Sequence, residues 1–428
     1  MPRLQLYALE LLLLHISNYD NGKGRMKMPG VTKHIFDHDI RDILSMWNKH
    51  LKCIQYVLPP NYSNQDIIDA LKQYFPHEWY SVEMKYLYYT QKDKYLKNRF
   101  GKARYNMKEP DKLLQSVNQY KSMMSPITQK EYTNNFSEHL IVNARENLWK
   151  QRKPKIEKVN AKIERAKLKV QQVTPTYINQ LIGLYERKNT SQKDRVYILA
   201  ELKKYYSPEI IQFFYKINDS ELNKQLRWDA FYHLQSFNYQ PRARRQKYMQ
   251  VHTKNDKQKE FLSHVYPNQT FSIPQTPQEL EYRIENAKEQ GLKRYNYFIS
   301  HSSKDSVIVQ KLIQAENRRG NDVFCDWIND ADYLKRHLLC NATLKVIEKR
   351  LEQSDALIFV KSEYSLESIW CKYELNFYFE LGRPIYTISA QDIDCGIFAI
   401  VLEKGDWFRD PKYKELALFE GTKVLTKK

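Results

Sequence analysis

The chain has 428 residues, enough for two or three domains with sizeable cores. Its formal net charge of +19 is unevenly placed. Of 69 Lys plus Arg and 50 Asp plus Glu, residues 291–428 hold 21 and 20, which leaves 48 and 30 in the first 290. No run approaches ~18 consecutive apolar residues, which excludes a membrane-spanning helix. Cys53, Cys325, Cys340, Cys371 and Cys395 form no CxxC pair and have no His cluster nearby. That spacing argues against zinc and against a disulfide framework, and fits a reducing cytoplasm.

Residues 1–150 read as a basic, helical N-terminal region. Leu4 to His15 is apolar but contains Glu10, and no small-residue cleavage site follows, so it reads as a first core helix rather than a signal peptide. Pro59-Pro60 breaks the chain. Asn64 to Phe75 then places Ile67, Leu71 and Phe75 on one helical face. Met84 to Lys108 interleaves tyrosines with lysines and arginines. One reading is a platform for single-stranded nucleic acid, with aromatic rings under bases and cations on phosphates. The other is an amphipathic helix, since Tyr88, Lys92, Tyr95 and Arg99 follow helical spacing. The basic excess itself fits either a nucleic-acid or protein trigger, or a solvated helical surface.

Residues 151–276 read as a helical bundle or a HEAT-like array. Ile156, Val159, Ile163, Ala166 and Val170 form a stripe on a long charged helix. Ser207 suits an N-cap and Pro208 the first helical position. Ile211, Phe214 and Ile217, then Leu226, Ala230 and Leu234, mark the next two helices. Stacked arrays of this kind bury one face and offer another to partners. Arg242-Ala-Arg-Arg245 is either a phosphate contact or a solvated loop. Thr276-Pro-Gln-Glu279 has capping-box spacing and opens a connecting helix over 277–290, with Leu280, Ile284 and Ala287 on its apolar face and Gly291 at its exit.

From residue 291 the rhythm changes. Apolar runs of about five residues, at Tyr295 to Ile299, Asp322 to Asp326, Ala356 to Val360 and Pro384 to Ile388, alternate with helix-compatible segments. That pattern predicts an α/β domain with a parallel sheet and helices on both faces. Ligands of such sheets bind outside the carboxyl ends of the strands. Ser300-His301-Ser302-Ser303, Cys325-Asp326-Trp327 and Lys361-Ser362 follow three of the strands, so these ends should converge on one crevice. Trp370 and Glu374, four apart on a helix, share a face.

Four stretches in order resemble the boxes of the TIR (Toll/interleukin-1 receptor homology) domain. They are Phe298 to Asp305, Asp322 to Asp326, Ser354 through Lys361-Ser362, and Ser368-x-Trp-Cys-x-x-Glu-Leu375. The match covers the last third of the chain. It implies a flavodoxin-like α/β fold over 291–428 and an NAD+ glycohydrolase that breaks the nicotinamide–ribose bond. By the same resemblance Glu374 is the catalytic carboxylate, and Trp370 packs against the nucleotide. Ser300, His301 and Ser368 line the pocket, with Asp326 and Trp327 at its rim. No metal and no cofactor are called for, because NAD+ is the substrate. The leaving group is already a pyridinium, so it needs no general acid, and a carboxylate can stabilise the oxocarbenium-like ribose. The architecture resembles antiviral effectors that deplete NAD+ in the infected cell once oligomerisation or a partner at the N-terminal region activates them. Two alternatives stay open: an enzyme making a cyclic ADP-ribose-type signal, and a non-catalytic TIR adaptor. In enzymatic TIR assemblies the loop after the second strand meets a neighbouring protomer. Here that loop, Asn329 to Leu339, lacks the glycine many TIR domains carry.

Overall fold

The computed structural model describes residues 30–243, 251 and 253–409, so the helix expected over Leu4 to His15 and the arginines at 244 and 245 lie outside the described residues. The described residues divide into two compact units, those within 1–164 and 235–241 and those within 165–234 and 242–428.

The first unit is helical. Its elements are α1 (Gly30–Ile54), α2 (Asn64–Tyr74), α3 (Pro76–Phe100), α4 (Pro110–Leu114), α5 (Asn118–Met123), α6 (Pro126–Asn134) and most of α7 (Glu138–Lys167). Trp47, Leu51, Ile54, Ile67, Leu71 and Trp79 share one core. Ser63 caps α2 in a full capping box with Asp66. The tyrosine- and lysine-rich stretch is the amphipathic helix α3. Tyr89 is buried and its hydroxyl donates to Asp39, which also pairs with Lys85 at 2.7 Å, while Tyr86 and Tyr88 pack half-buried on the core. Asp93 then accepts the backbone N–H groups of Arg104, Tyr105 and Asn106, folding the chain back after Gly101, whose φ of 77° ends the helix.

The second unit joins four helices to the sheet: α8 (Ile178–Glu186), α9 (Gln192–Leu202), α10 (Pro208–Ser220) and α11 (Lys224–Ser236). The Ser207 hydroxyl caps α10 by accepting from Ile210 N, with Pro208 first in the helix, and Ile211, Phe214 and Ile217 are buried. After α12 (Asp256–Glu260), helices α13 (Pro277–Asn286) and α14 (Lys288–Gly291) lead into the sheet, with Thr276 capping α13.

The sheet alternates with its helices: β1 (Tyr295–Ser300), α15 (Ser306–Arg318), β2 (Val323–Phe324), α16 (Asp326–Asn329), α17 (Asn341–Glu352), β3 (Ser354–Lys361), α18 (Glu363–Glu367), α19 (Ile369–Glu380), β4 (Ile385–Ser389), α20 (Ala390–Asp394) and β5 (Val401–Leu402). The order is β2-β1-β3-β4-β5. The first four strands are parallel and β5 is antiparallel to β4. Successive side chains of a strand face opposite ways. Phe298, Leu357 and Phe359 therefore meet Leu351, Leu375 and Tyr378 on one face, while Ile299, Ile358 and Val360 meet Val309, Leu312 and Ile313 on the other. Burial on both faces is why these strands read as unbroken apolar runs.

Two details differ from expectation. The second strand is only two residues long, because side chains end its ladder: Asn296 Oδ1 takes the Asp322 N–H and Asn329 Oδ1 takes the Cys325 N–H, each at 2.9 Å. The fifth strand was not anticipated, since Val401 and Leu402 are both exposed and carry no alternation.

The glycine-free loop after β2 is pinned. Asp330, 1 % exposed, accepts from Arg350 Nε at 2.8 Å and lies 3.3 Å from Lys204 Nζ of the α9 exit. Lys204 and Lys293 also meet Glu201, at 2.8 and 2.5 Å. Tyr333 packs with Leu280, Ile284 and Val346. Burial alone would raise Glu201, but Lys204 and then Lys293 hold it down at about 2. Burial meanwhile brings Lys293 down to about 7 against the pull of Glu201. The lowered Glu201 favours the ion pair and the lowered Lys293 opposes it; the contacts decide for the pair, because the carboxylate has two cations against it and Lys293 has a full negative charge beside it.

Candidate active site

The connection leaves β1 for β2 on one side and returns to β3 on the other, so β1 and β3 flank a topological switch point. Ser300 is the last residue of β1 and is fully buried. Its hydroxyl donates to Glu374 Oε2 at 2.6 Å, from the second turn of α19. Glu374 is 9 % exposed. Burial raises its pKa to about 8, against the pull of the Ser300 hydroxyl, and the nearby charge of Asp326 adds to the rise. A carboxyl raised this far is largely protonated at neutral pH, and among the described residues no cation is paired with it.

Ser368 caps α19 by accepting from Cys371 N at 3.3 Å. The Cys371 thiol lies against both the Ser368 and Ser300 hydroxyls, and burial pushes its pKa up to about 12. It is an inert neighbour of the carboxylate rather than a nucleophile.

His301 links β1 to the turn after β2. Its Nδ1 is 3.0 Å from the Ile299 carbonyl, and its Nε2 is 3.0 Å from Trp327 Nε1. A carbonyl only accepts and an indole N–H only donates, so His301 is neutral with its proton on Nδ1. That chain of bonds fixes the edge of the Trp327 ring. Asp326, half-exposed, folds back on its own turn through the Trp327 N–H at 2.9 Å. His301, Cys325 and Asp326 offer ligand-type atoms within 4.8 Å of one another. As a metal set they are poorly suited: the His301 Nε2 lone pair is already used by Trp327, and burial pushes the Cys325 thiol well above its ordinary range.

The loops after β1 and β3 are also tied. Ser362 Oγ donates to the buried carboxylate of Asp305 at 2.6 Å. The structure thus brings Ser300, His301, Asp326, Trp327, Ser368 and Glu374 to the carboxyl end of the sheet. Trp370, expected to pack against the nucleotide, is half-buried and rests on Leu344 of α17 and on Tyr373, one turn along its own helix. Sequence reasoning passed over Asp305 and Ser362 as a pair. Both lie inside the quoted boxes, but their 57-residue separation hides the bond.

An open sheet in the order 2-1-3-4-5, with a buried carboxylate at its switch point, defines a flavodoxin-like α/β domain, a fold whose ligands bind at the strand ends. The chain is 33 % identical over 365 residues to the TIR2 protein of Cytobacillus dafuensis, named for a proposed cyclic ADP-D-ribose synthase activity. That match covers 85 % of this chain and 93 % of TIR2. The chain belongs to this family of bacterial TIR-domain proteins. It is also 28 % identical over 131 residues to ThsB′ of Bacillus cereus (strain MSX-D12), named for an inferred 3′ cyclic ADP-D-ribose synthase activity, which covers 30 % of this chain and 66 % of ThsB′. Over 83 residues it is 35 % identical to Toll-like receptor 2 of Bos taurus, which covers 19 % of this chain and 10 % of the receptor. No protein-family model matches the chain, and no solved structure matches it. Among the described residues no helix is long and apolar enough to cross a membrane.

Proposed function

We propose that this protein is an NAD+-cleaving effector of antiviral defence, with Glu374 as its catalytic residue. The observation that carries the reading is the buried Glu374 carboxyl, oriented by Ser300 at the carboxyl end of β1 and paired with no cation among the described residues. A bound NAD+ supplies that cation. The pyridinium charge beside the carboxyl draws its pKa down and ionises it on binding. The C1′–N bond then breaks, its electron pair going to the nicotinamide ring, which leaves neutral. The ribose is left with oxocarbenium character that the Glu374 carboxylate faces. Addition of water to C1′, with loss of a proton, gives ADP-ribose. Attack on C1′ by a nucleophile of the same molecule gives a cyclic ADP-ribose instead. The names of TIR2 and ThsB′ favour the cyclic product, and a carboxylate this little exposed suits a step that must keep water out.

The self-association and the trigger belong to the same reading. The TIR domain assembles with copies of itself, and the basic helical unit receives a nucleic-acid or protein signal. The test is NAD+ consumption by the whole chain, wild type against Glu374→Ala, with the products separated by chromatography. Consumption that survives in Glu374→Ala would refute the assignment.

A further inference from the structure

Strand β2 is the outermost strand of the sheet, so one row of its backbone groups has no strand beside it. Gln171, from the chain between α7 and α8, fills that place with its side chain. Its Oε1 accepts the Val323 N–H at 3.1 Å and its Nε2 donates to the Val323 carbonyl at 2.5 Å. The amide thus makes both bonds that a further strand would make to that residue. Nε2 also reaches Asn329 Oδ1 at 3.3 Å, and Asn317 Nδ2 donates to Gln171 Oε1 at 3.2 Å. Gln171 is held in turn by its own backbone, which bonds Lys204 O and the Tyr206 N–H of the α9 exit.

Asn329 Oδ1 is the same atom that takes the Cys325 N–H. Asn329 N and Ile328 N both return to Cys325 O, closing the turn on which Asp326 and Trp327 stand. Lys204 anchors the next residue, Asp330. Residues more than a hundred positions upstream therefore grip the C-terminal end of the one-turn helix α16, and through Asn329 Oδ1 the residue that precedes it.

We propose that Gln171 is a positioning residue for the active site, its amide holding the turn that presents Asp326 and Trp327 to His301 and Glu374. The inference rests on the reading of this site as an NAD+-cleaving centre. Its consequence is that the helical segment shapes the crevice directly, so a shift of that segment is felt at the substrate.

The test uses the full chain labelled with 5-fluorotryptophan. The protein has seven tryptophans, and the Trp327 fluorine line is the one lost in Trp327→Phe. In Gln171→Met, which removes both hydrogen-bonding functions at similar size, the Trp327 line shifts while the others stay. KM for NAD+ rises about tenfold with a smaller change in kcat. Gln171→Glu keeps the acceptor for Val323 N–H and loses the donor, so it falls between. Phe214→Leu, a control that loosens the helical segment away from the contact, lowers Tm without moving the line or KM. Should Gln171→Met fail to fold, Gln171→Glu against Phe214→Leu gives the same readouts. An unmoved Trp327 line and an unmoved KM in the folded Gln171 variants would overturn the proposal, as would an equal shift in Phe214→Leu. If the wild type consumes no NAD+, the functional reading fails, while the fluorine line still decides whether Gln171 holds Trp327.

Discussion

Glu374 and Asp330 are both carboxyls buried in the same α/β domain, and the protein treats them in opposite ways. Asp330 sits between Arg350 and Lys204, and these cations hold it well below the usual carboxylate range although burial alone would raise it. Among the described residues Glu374 has the Ser300 hydroxyl, the Cys371 and Cys325 thiols and the Asp326 carboxylate near it and no paired cation, and burial carries it up to about 8. Burial is common to both, so the difference lies in the partner. A structural carboxylate is neutralised by its own chain. The one at the strand ends is left short of positive charge, as a site for a cationic substrate requires.

The sharpest test of that contrast is Glu374→Gln. It keeps the shape and removes the charge, and NAD+ turnover should fall by about a thousandfold or more, read by nicotinamide release. Arg350→Met should break the other half. It strands Asp330 in a buried setting, and urea unfolding should show a loss of about 3–5 kcal/mol. A variant no less stable than the wild type would show that Lys204 alone suffices for Asp330. The pH profile comes next. Because kcat/KM reports the free enzyme, it should climb as pH rises and level off above about 8, as Glu374 loses its proton. Glu374→Asp should move that limb; an unmoved limb would assign it to another group.

The smallest expected effect is on stability. The folded pKa of Glu374 lies above its unfolded value, so between about 4.5 and 8 the folded state holds a proton that the unfolded state has lost. Stability from this group therefore falls as pH rises through that window. Thermal unfolding of Glu374→Gln against wild type should show the variant gaining at pH 8 relative to pH 5.

Much of the α/β domain was legible because its signals are local. Ile299, Ile358 and Ile388 lie in apolar runs that only a doubly covered strand needs, and Thr276-Pro277 and Ser207-Pro208 announce helix starts by their chemistry. Of the candidate site, Ser300, His301, Asp326, Trp327 and Ser368 could be named because each ends or follows a strand or caps a helix, and Glu374 by the resemblance of its helix. What stayed hidden depends on distance along the chain. Nothing around Gln171 marks it as a partner of β2, nor Lys204 as one of Asp330, since a lone glutamine and a lysine at a helix exit are ordinary solvent-facing residues. Trp370 is a related case. Its spacing from Glu374 fixes a shared side of the helix, but the neighbouring α17 brings Leu344 to that indole.

The glutamine amide on β2 has one more outcome, for assembly rather than catalysis. Among the described residues it occupies both backbone groups that Val323 turns away from β1, so a second chain pairing at that margin would first have to displace the amide.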